Sequence, residues 1–208
     1  MVQELLFTSE DRIAIVAPHP DDESLGASAA LLLAAAQTDI FVLTDGSHGC
    51  RERSVSEEAI VRKNQFEAEM AYVKPHSYTW LGAEDTKLHA HPEVVEQIDF
   101  TPYTLIFLPW LESLHADHRA AASFCIDTIR RQKACGECFF YEVTAPFHEP
   151  SHFIDISNLE QEKRRLIRFH EDQQGHEEIA LSLNAFRAAQ LRKYKDCRLA
   201  ECYLKVDM

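Results

Sequence analysis

The order of elements in this 208-residue chain predicts a three-layer α/β fold with a mostly parallel sheet. Three observations carry that prediction. Short apolar runs recur at 13–17, 40–43 and 105–108, helical patterns separate them, and the residues able to do chemistry cluster directly after the runs.

In chain order, residues 13–17 form a buried strand ending at Pro18, and 25–36, nearly all apolar and rich in Ala and Leu, form a buried helix. The run 40–43 closes on Thr44-Asp45-Gly46, completing the strand–helix–strand unit from which parallel sheets are built. Residues 56–72 alternate charged and apolar at helical spacing, 77–81 resume strand character, and 105–108 give a further strand before Pro109. A helix over 118–132, a strand over 139–143, a helix over 159–171 and an amphipathic helix over 182–195 complete the expected order. No repeat or Gly/Ser-rich linker interrupts it, so one domain over 1–208 is expected, with the polar stretches 46–56 and 88–102 available as the rim of a site.

Composition narrows the function classes. At 46% hydrophobic and 26% charged residues, the chain has the make-up of a folding, soluble protein. Lys and Arg total 21 against 34 Asp and Glu, and the formal charge of −13 repels nucleic acid and anionic lipid, which favours a neutral or weakly charged small molecule as partner. The first residues show no basic segment followed by a long apolar one, and no integral membrane segment follows, so a cytoplasmic location is expected. Six scattered cysteines fit reduced thiols, and the Cys135/Cys138 pair, without two further ligands nearby, reads as incidental.

Directly after the first strand comes Pro18-His19-Pro20-Asp21-Asp22-Glu23. In open α/β sheets ligands bind outside the carboxyl ends of the strands, which is where this segment falls. An imidazole and a carboxylate three residues apart can converge on one zinc ion while an intervening carboxylate stays free to take a proton. Helix capping accounts for one or two of the acids but not for His19 between two prolines. A second cluster, His115-Ala116-Asp117-His118, follows the 105–108 strand at the start of a predicted helix, so both clusters share one edge of the sheet. Together they supply two histidines and a carboxylate as ligands and leave one position open, as a hydrolytic zinc site requires.

These motifs resemble the paired PHPDDE and HxDH signatures of the PIG-L/LmbE-like N-acetylglucosamine deacetylases, zinc enzymes with a single Rossmann-like domain. The likeness runs nearly the length of the chain, because Thr44-Asp45-Gly46, Leu81-Gly82 with Asp85, and Asp155-Ile156-Ser157 followed by Lys163 and Gln173 fall in the family's order. The resemblance implies that His19, Asp22 and His118 hold Zn2+, that Asp21 is the general base, and that a protonated His115 faces the developing oxyanion. Asp117 would orient an adjacent histidine and favour its charged form. Arg62 and Asp85 match residues beside the substrate, and His48 lies in a loop near the pocket rim. The implied reaction removes an N-acetyl group from an amino sugar or glycoconjugate, with the water at the zinc as nucleophile. Similar N/O ligands also accept other first-row divalent ions.

The chain departs from the family at Gln65, Lys74 and Asp172, where an acid, a glycine and a serine are expected; these positions bear on which substrate the pocket takes. Two further readings stand beside the deacetylase. A non-catalytic carbohydrate-binding module of the same fold predicts loss of the base or the oxyanion histidine, yet Asp21 and His115 are both present. A hydrolase of a non-sugar amide would use the same residues. Phosphoryl chemistry calls for a Lys/Arg cluster or a second metal, which the motifs lack. Assembly into a homo-oligomer is left open.

Overall fold

The computed structural model describes residues 2–50, 52–170 and 175–208. Within them one sheet is built from β1 (Gln3–Glu4), β2 (Ile13–Ala17), β3 (Thr38–Thr44), β4 (Ser77–Ala83), β5 (Leu105–Pro109), β6 (Glu137–Tyr141), β7 (His152–Asp155) and β8 (Ala200–Lys205), in the order β1-β7-β8-β6-β5-β2-β3-β4. All neighbouring pairs are parallel except those of β8, which runs antiparallel to both β6 and β7. The chain is therefore an α/β protein with a mostly parallel sheet, as its element order predicts.

Side chains that alternate along the central strands feed two separate cores. Ile13, Ile15 and Ala17 of β2 join one cluster with Phe66 and Leu166, whereas Ala14 and Val16 join another with Ala121 and Ile129. Both faces of the sheet are thus covered by helices, the condition for a buried parallel sheet. The helices are α1 (Asp22–Gly26), α2 (Ser28–Leu33), α3 (Val55–Val73), α4 (Glu93–Glu96), α5 (Ala116–Gln132), α6 (Glu160–Ile167) and α7 (His176–Leu191). Among the described residues no helix is long and apolar enough to cross a membrane.

From β2 the chain steps outward through β3 to β4, returns to the centre at β5, and steps the other way to β6. This reversal makes the β2–β5 junction a topological switch point, where a crevice opens at the strands' carboxyl ends. Both chemistry-bearing motifs emerge there.

Several elements differ from expectation for local reasons. The apolar stretch 25–36 is broken into α1, α2 and a 3-10 turn (Ala35–Gln37), because Ala27 (φ −134°, ψ 28°) leaves helical geometry. Beside it, Gly26 lies so near the Tyr141 ring that a Cβ would come within 2.2 Å of it. Strands β1, β7 and β8 lack a clear apolar run and escape a periodicity reading. Helix α6 stops at Ile167, and the expected helix end at Glu171, with Asp172 and Gln173, lies outside the described residues. Helix α7 begins at His176, six residues before the expected start.

Candidate active site

The loop after β2 is held by its own carbonyls. Thr44 donates to Pro18 O from both its N–H (3.0 Å) and its hydroxyl (2.8 Å), and Arg62 Nη2 donates to Pro20 O at 2.6 Å. Gly46 turns the chain at φ +63°, and a Cβ there would come within 2.9 Å of Pro20. Between them, Asp45 Oδ1 accepts from the N–H groups of Ser47 and Asp85. Thr44-Asp45-Gly46 is therefore a brace for the β2 loop. Asp21 occupies the N-cap position of α1 without making a side-chain cap bond, and Asp22 Oδ2 accepts from His19 N–H at 2.9 Å. Helix capping does not explain these acids.

Three donor atoms close a nearly equilateral triangle. His19 Nδ1 and His118 Nε2 each lie 3.2 Å from Asp22 Oδ2 and 3.3 Å from one another. Ligand atoms about 2.0–2.1 Å from a tetrahedral zinc stand roughly 3.3–3.4 Å apart, so this spacing fits a bound ion. Burial alone would discourage charge on Asp22, but His118 and His19 outweigh it and hold the carboxyl well below its ordinary range. Burial likewise opposes a proton on His19, whereas Asp117, Asp22 and Asp85 push its pKa well up. Surroundings that favour a proton on that ring also favour a cation between ring and carboxylate.

Asp85 and Asp117 stand behind the triangle. His19 Nε2 lies 3.2 Å from Asp85 Oδ1 and 3.4 Å from Asp117 Oδ2. A carboxylate on the far nitrogen fixes the orientation of a ligating imidazole. The histidine that Asp117 orients is thus His19, from the other motif. Asp117 also accepts from the N–H groups of Thr86 (2.7 Å) and Leu88 (3.2 Å), and Thr86 takes φ +68° where its N–H makes that bond. Asp85, expected beside the substrate, does line the cavity, but its oxygens face His19 and accept from His48 N–H at 2.9 Å.

His115 caps α5, its Nδ1 accepting from Asp117 N–H at 3.3 Å. With Nδ1 an acceptor, the neutral ring carries its proton on Nε2. Burial and the neighbouring His19 and His118 lower its pKa. With Nδ1 engaged in this way, Nε2 is the ring nitrogen left free to face a ligand. The His115 and His19 rings lie 4.5 Å apart, centroid to centroid.

Asp21, 4% exposed, faces a different set of partners. Its Oδ2 lies 3.1 Å from Arg62 Nη2 and 3.3 Å from His176 Nδ1. Burial would raise its pKa, but Arg62 and His176 together hold it well below the carboxylate range. Arg62, expected at the substrate, is also buried and braces Pro20 and Asp21. His19, Asp21, Asp22, Arg62, Asp85, His115, His118 and His176 meet at one cavity of about 310 Å³, within the range of small-molecule sites, with His48, Thr144 and Val143 also on its wall, while Asp117 is buried behind it. His176 is the residue that sequence reasoning missed, since nothing local marks a histidine 155 residues from its partner. Lys74 lies away from the cavity: it ends α3 at φ +55°, which accounts for the glycine expected there.

Fold and site define a class: an α/β protein with two imidazoles and a carboxylate at metal-ligand spacing, set at the sheet's switch point and open to a small cavity. The chain belongs to the family described as PIG-L: GlcNAc-PI de-N-acetylase, whose model matches residues 14–129 and so spans both motifs. It is similar to the diacetylchitobiose deacetylase of Thermococcus kodakarensis, at 28% identity over 80% of this chain and 72% of that protein. Among solved structures it is similar to the N,N'-diacetylchitobiose deacetylase from Pyrococcus horikoshii (TM-score 0.79, 19% identity, 95% of this chain and 84% of that one). It is also similar to the 4-carboxy-2-hydroxymuconate hydratase from Pseudomonas putida (TM-score 0.74, 16% identity, 95% and 97%). A hydratase shares the fold, so the reaction has to be argued from the site.

Proposed function

We propose that this chain is a metal-dependent N-deacetylase that hydrolyses the acetamide of an N-acetylated amino sugar or glycoconjugate, with zinc as the ion its ligands suit. The triangle of His19, Asp22 and His118, with edges of 3.2–3.3 Å, carries the metal part of this reading. The sugar part is supported by the diacetylchitobiose deacetylases it resembles and by a cavity of about 310 Å³.

A divalent ion in the triangle supplies Lewis-acid activation of water and carbonyl. The chain's own groups do the rest. Asp21, kept anionic by Arg62 and His176, takes a proton from the attacking water and returns it to the departing amine. His115 has Nδ1 engaged by Asp117 N–H, which leaves Nε2–H to donate to the acetamide oxygen as charge develops. Asp85 and Asp117 keep the His19 ring in place.

Bound metal and acetate release from a panel of N-acetylated amino sugars, compared between wild type, Asp21→Ala and His118→Ala, test this assignment. We expect Asp21→Ala to keep its metal and lose about a hundredfold or more in turnover, and His118→Ala to lose metal. Stoichiometric metal with full activity in both variants would end the proposal.

A further inference from the structure

Asp21 is held through one oxygen. Arg62 Nη2 and His176 Nδ1 both reach Oδ2, and among the described residues no hydrogen bond goes to Oδ1. Arg62 by itself leaves the carboxylate underdetermined, because the same Nη2 also donates to Pro20 O at the shorter distance of 2.6 Å. His176 supplies the second direction. It is the first residue of the 16-residue helix α7, and its side chain is 30% exposed on the cavity wall, partly shielded from water that would compete for the bond.

The helix carrying His176 is itself fixed. Arg187, 1% exposed, reaches Glu142 through Nε (3.0 Å) and Nη2, and Nη2 also donates to Phe147 O at 2.7 Å. Glu142 adjoins Val143 and Thr144, which line the same cavity. One helix thus supports the base at its first turn and the cavity wall about three turns further on, and a site built on such an element holds its geometry better than one on a loop.

We propose that His176 is a positioning residue for the general base: with Arg62 it pins Asp21 Oδ2, so that Oδ1 is the oxygen offered to the attacking water. This rests on the reading of Asp21 as the base. A base turned away from the water loses rate without losing substrate, because the misplacement is felt in the transition state.

The test compares metal-loaded wild type, His176→Leu and His176→Asn, with kcat and KM taken from acetate release on N,N'-diacetylchitobiose and metal measured by elemental analysis. We expect His176→Leu to keep full metal and a KM within about twofold, while kcat falls by about tenfold or more. His176→Asn, whose amide nitrogen replaces Nδ1 as donor, should recover most of that loss. An unchanged kcat in His176→Leu overturns the proposal, as does a rise in KM alone, which marks a substrate contact, or an Asn variant no better than Leu. A wild type that binds metal but releases no acetate from any N-acetylated sugar sinks the deacetylase reading instead.

Discussion

Asp22 and Glu23 are neighbours in sequence with the same functional group, yet they enter opposite kinds of cluster. Asp22 meets His19 and His118 at 3.2 Å, the spacing of ligands around an ion, beside a cavity open to solvent. Glu23 meets Glu69 and His170 in a pocket that is sealed, all three at 2% exposure or less. There the distances are those of direct contact: His170 Nε2 lies 2.7 Å from Glu69 Oε2 and 3.8 Å from Glu23 Oε1, and Ser24 donates to Glu69 Oε1. Burial, Glu69 and Asp21 push the Glu23 carboxyl well above its ordinary range, and neither of its oxygens has a hydrogen-bond partner among the described residues. Three convergent donors are therefore not enough to mark a metal centre. Edge length, access and the direction in which the surroundings push each carboxyl separate a cradle for an ion from a packed core.

The sharpest way to break this comparison is the same amide substitution at both positions. Asp22→Asn should weaken metal binding by about a thousandfold, since a ligand carries roughly a third of a binding energy of about 10–16 kcal/mol. Glu23→Gln puts an uncharged amide of the same shape where the surroundings already disfavour a charge, and should leave metal affinity within about twofold and stability within about 1 kcal/mol. Competition with a chromogenic chelator measures both, and a matching loss in the two variants would remove the distinction. On the sealed side, His170→Ala strands a buried Glu69 oxygen and should cost about 3 kcal/mol, seen as a melting temperature roughly 10 °C lower with metal stoichiometry intact. Behind the cradle, Asp117→Asn should reduce metal affinity by about 10–100-fold, because it weakens a carboxylate on His19 Nε2 without removing a ligand. An affinity unchanged in that variant would leave Asp117 as a brace for Thr86 and Leu88 alone.

What was legible in the sequence follows from where each interaction is encoded. The open cradle draws its ligands from two short motifs at the ends of adjacent strands, so strand periodicity plus residue type placed them on one edge of the sheet. Asp85 and Arg62 were legible as residues near the site but not in their contacts, since which face of a carboxylate or guanidinium is occupied depends on packing. The sealed cluster was hidden: Glu69 on α3 and His170 after α6 carry ordinary polar residues with no local signal, and they meet Glu23 only once three elements pack. His176 and the antiparallel β8 were hidden for the same reason, because their partners are far away in the chain.

The smallest expected effect concerns the Asp21–His176 contact. The Asp21 bond raises the His176 pKa against the opposing effect of burial, while Arg62 and His176 lower that of Asp21 against burial. A raised histidine contributes stability that is fully present below its ordinary value of about 6.5 and is lost as pH rises through the raised value. A lowered aspartate contributes stability present above its ordinary value of about 3.9 and lost as pH falls through the lowered one. Their mutual stabilisation is therefore fullest between about pH 4 and 6.5 and fades towards alkaline pH as the imidazole loses its charge. With His176 partly exposed, the gain is roughly 1 kcal/mol or less. His176→Asn keeps a donor but cannot titrate, so the stability difference between wild type and this variant, from urea unfolding, should shrink between about pH 6 and pH 9. A difference that stays level across that range would mean that the contact is an uncharged hydrogen bond and not an ion pair.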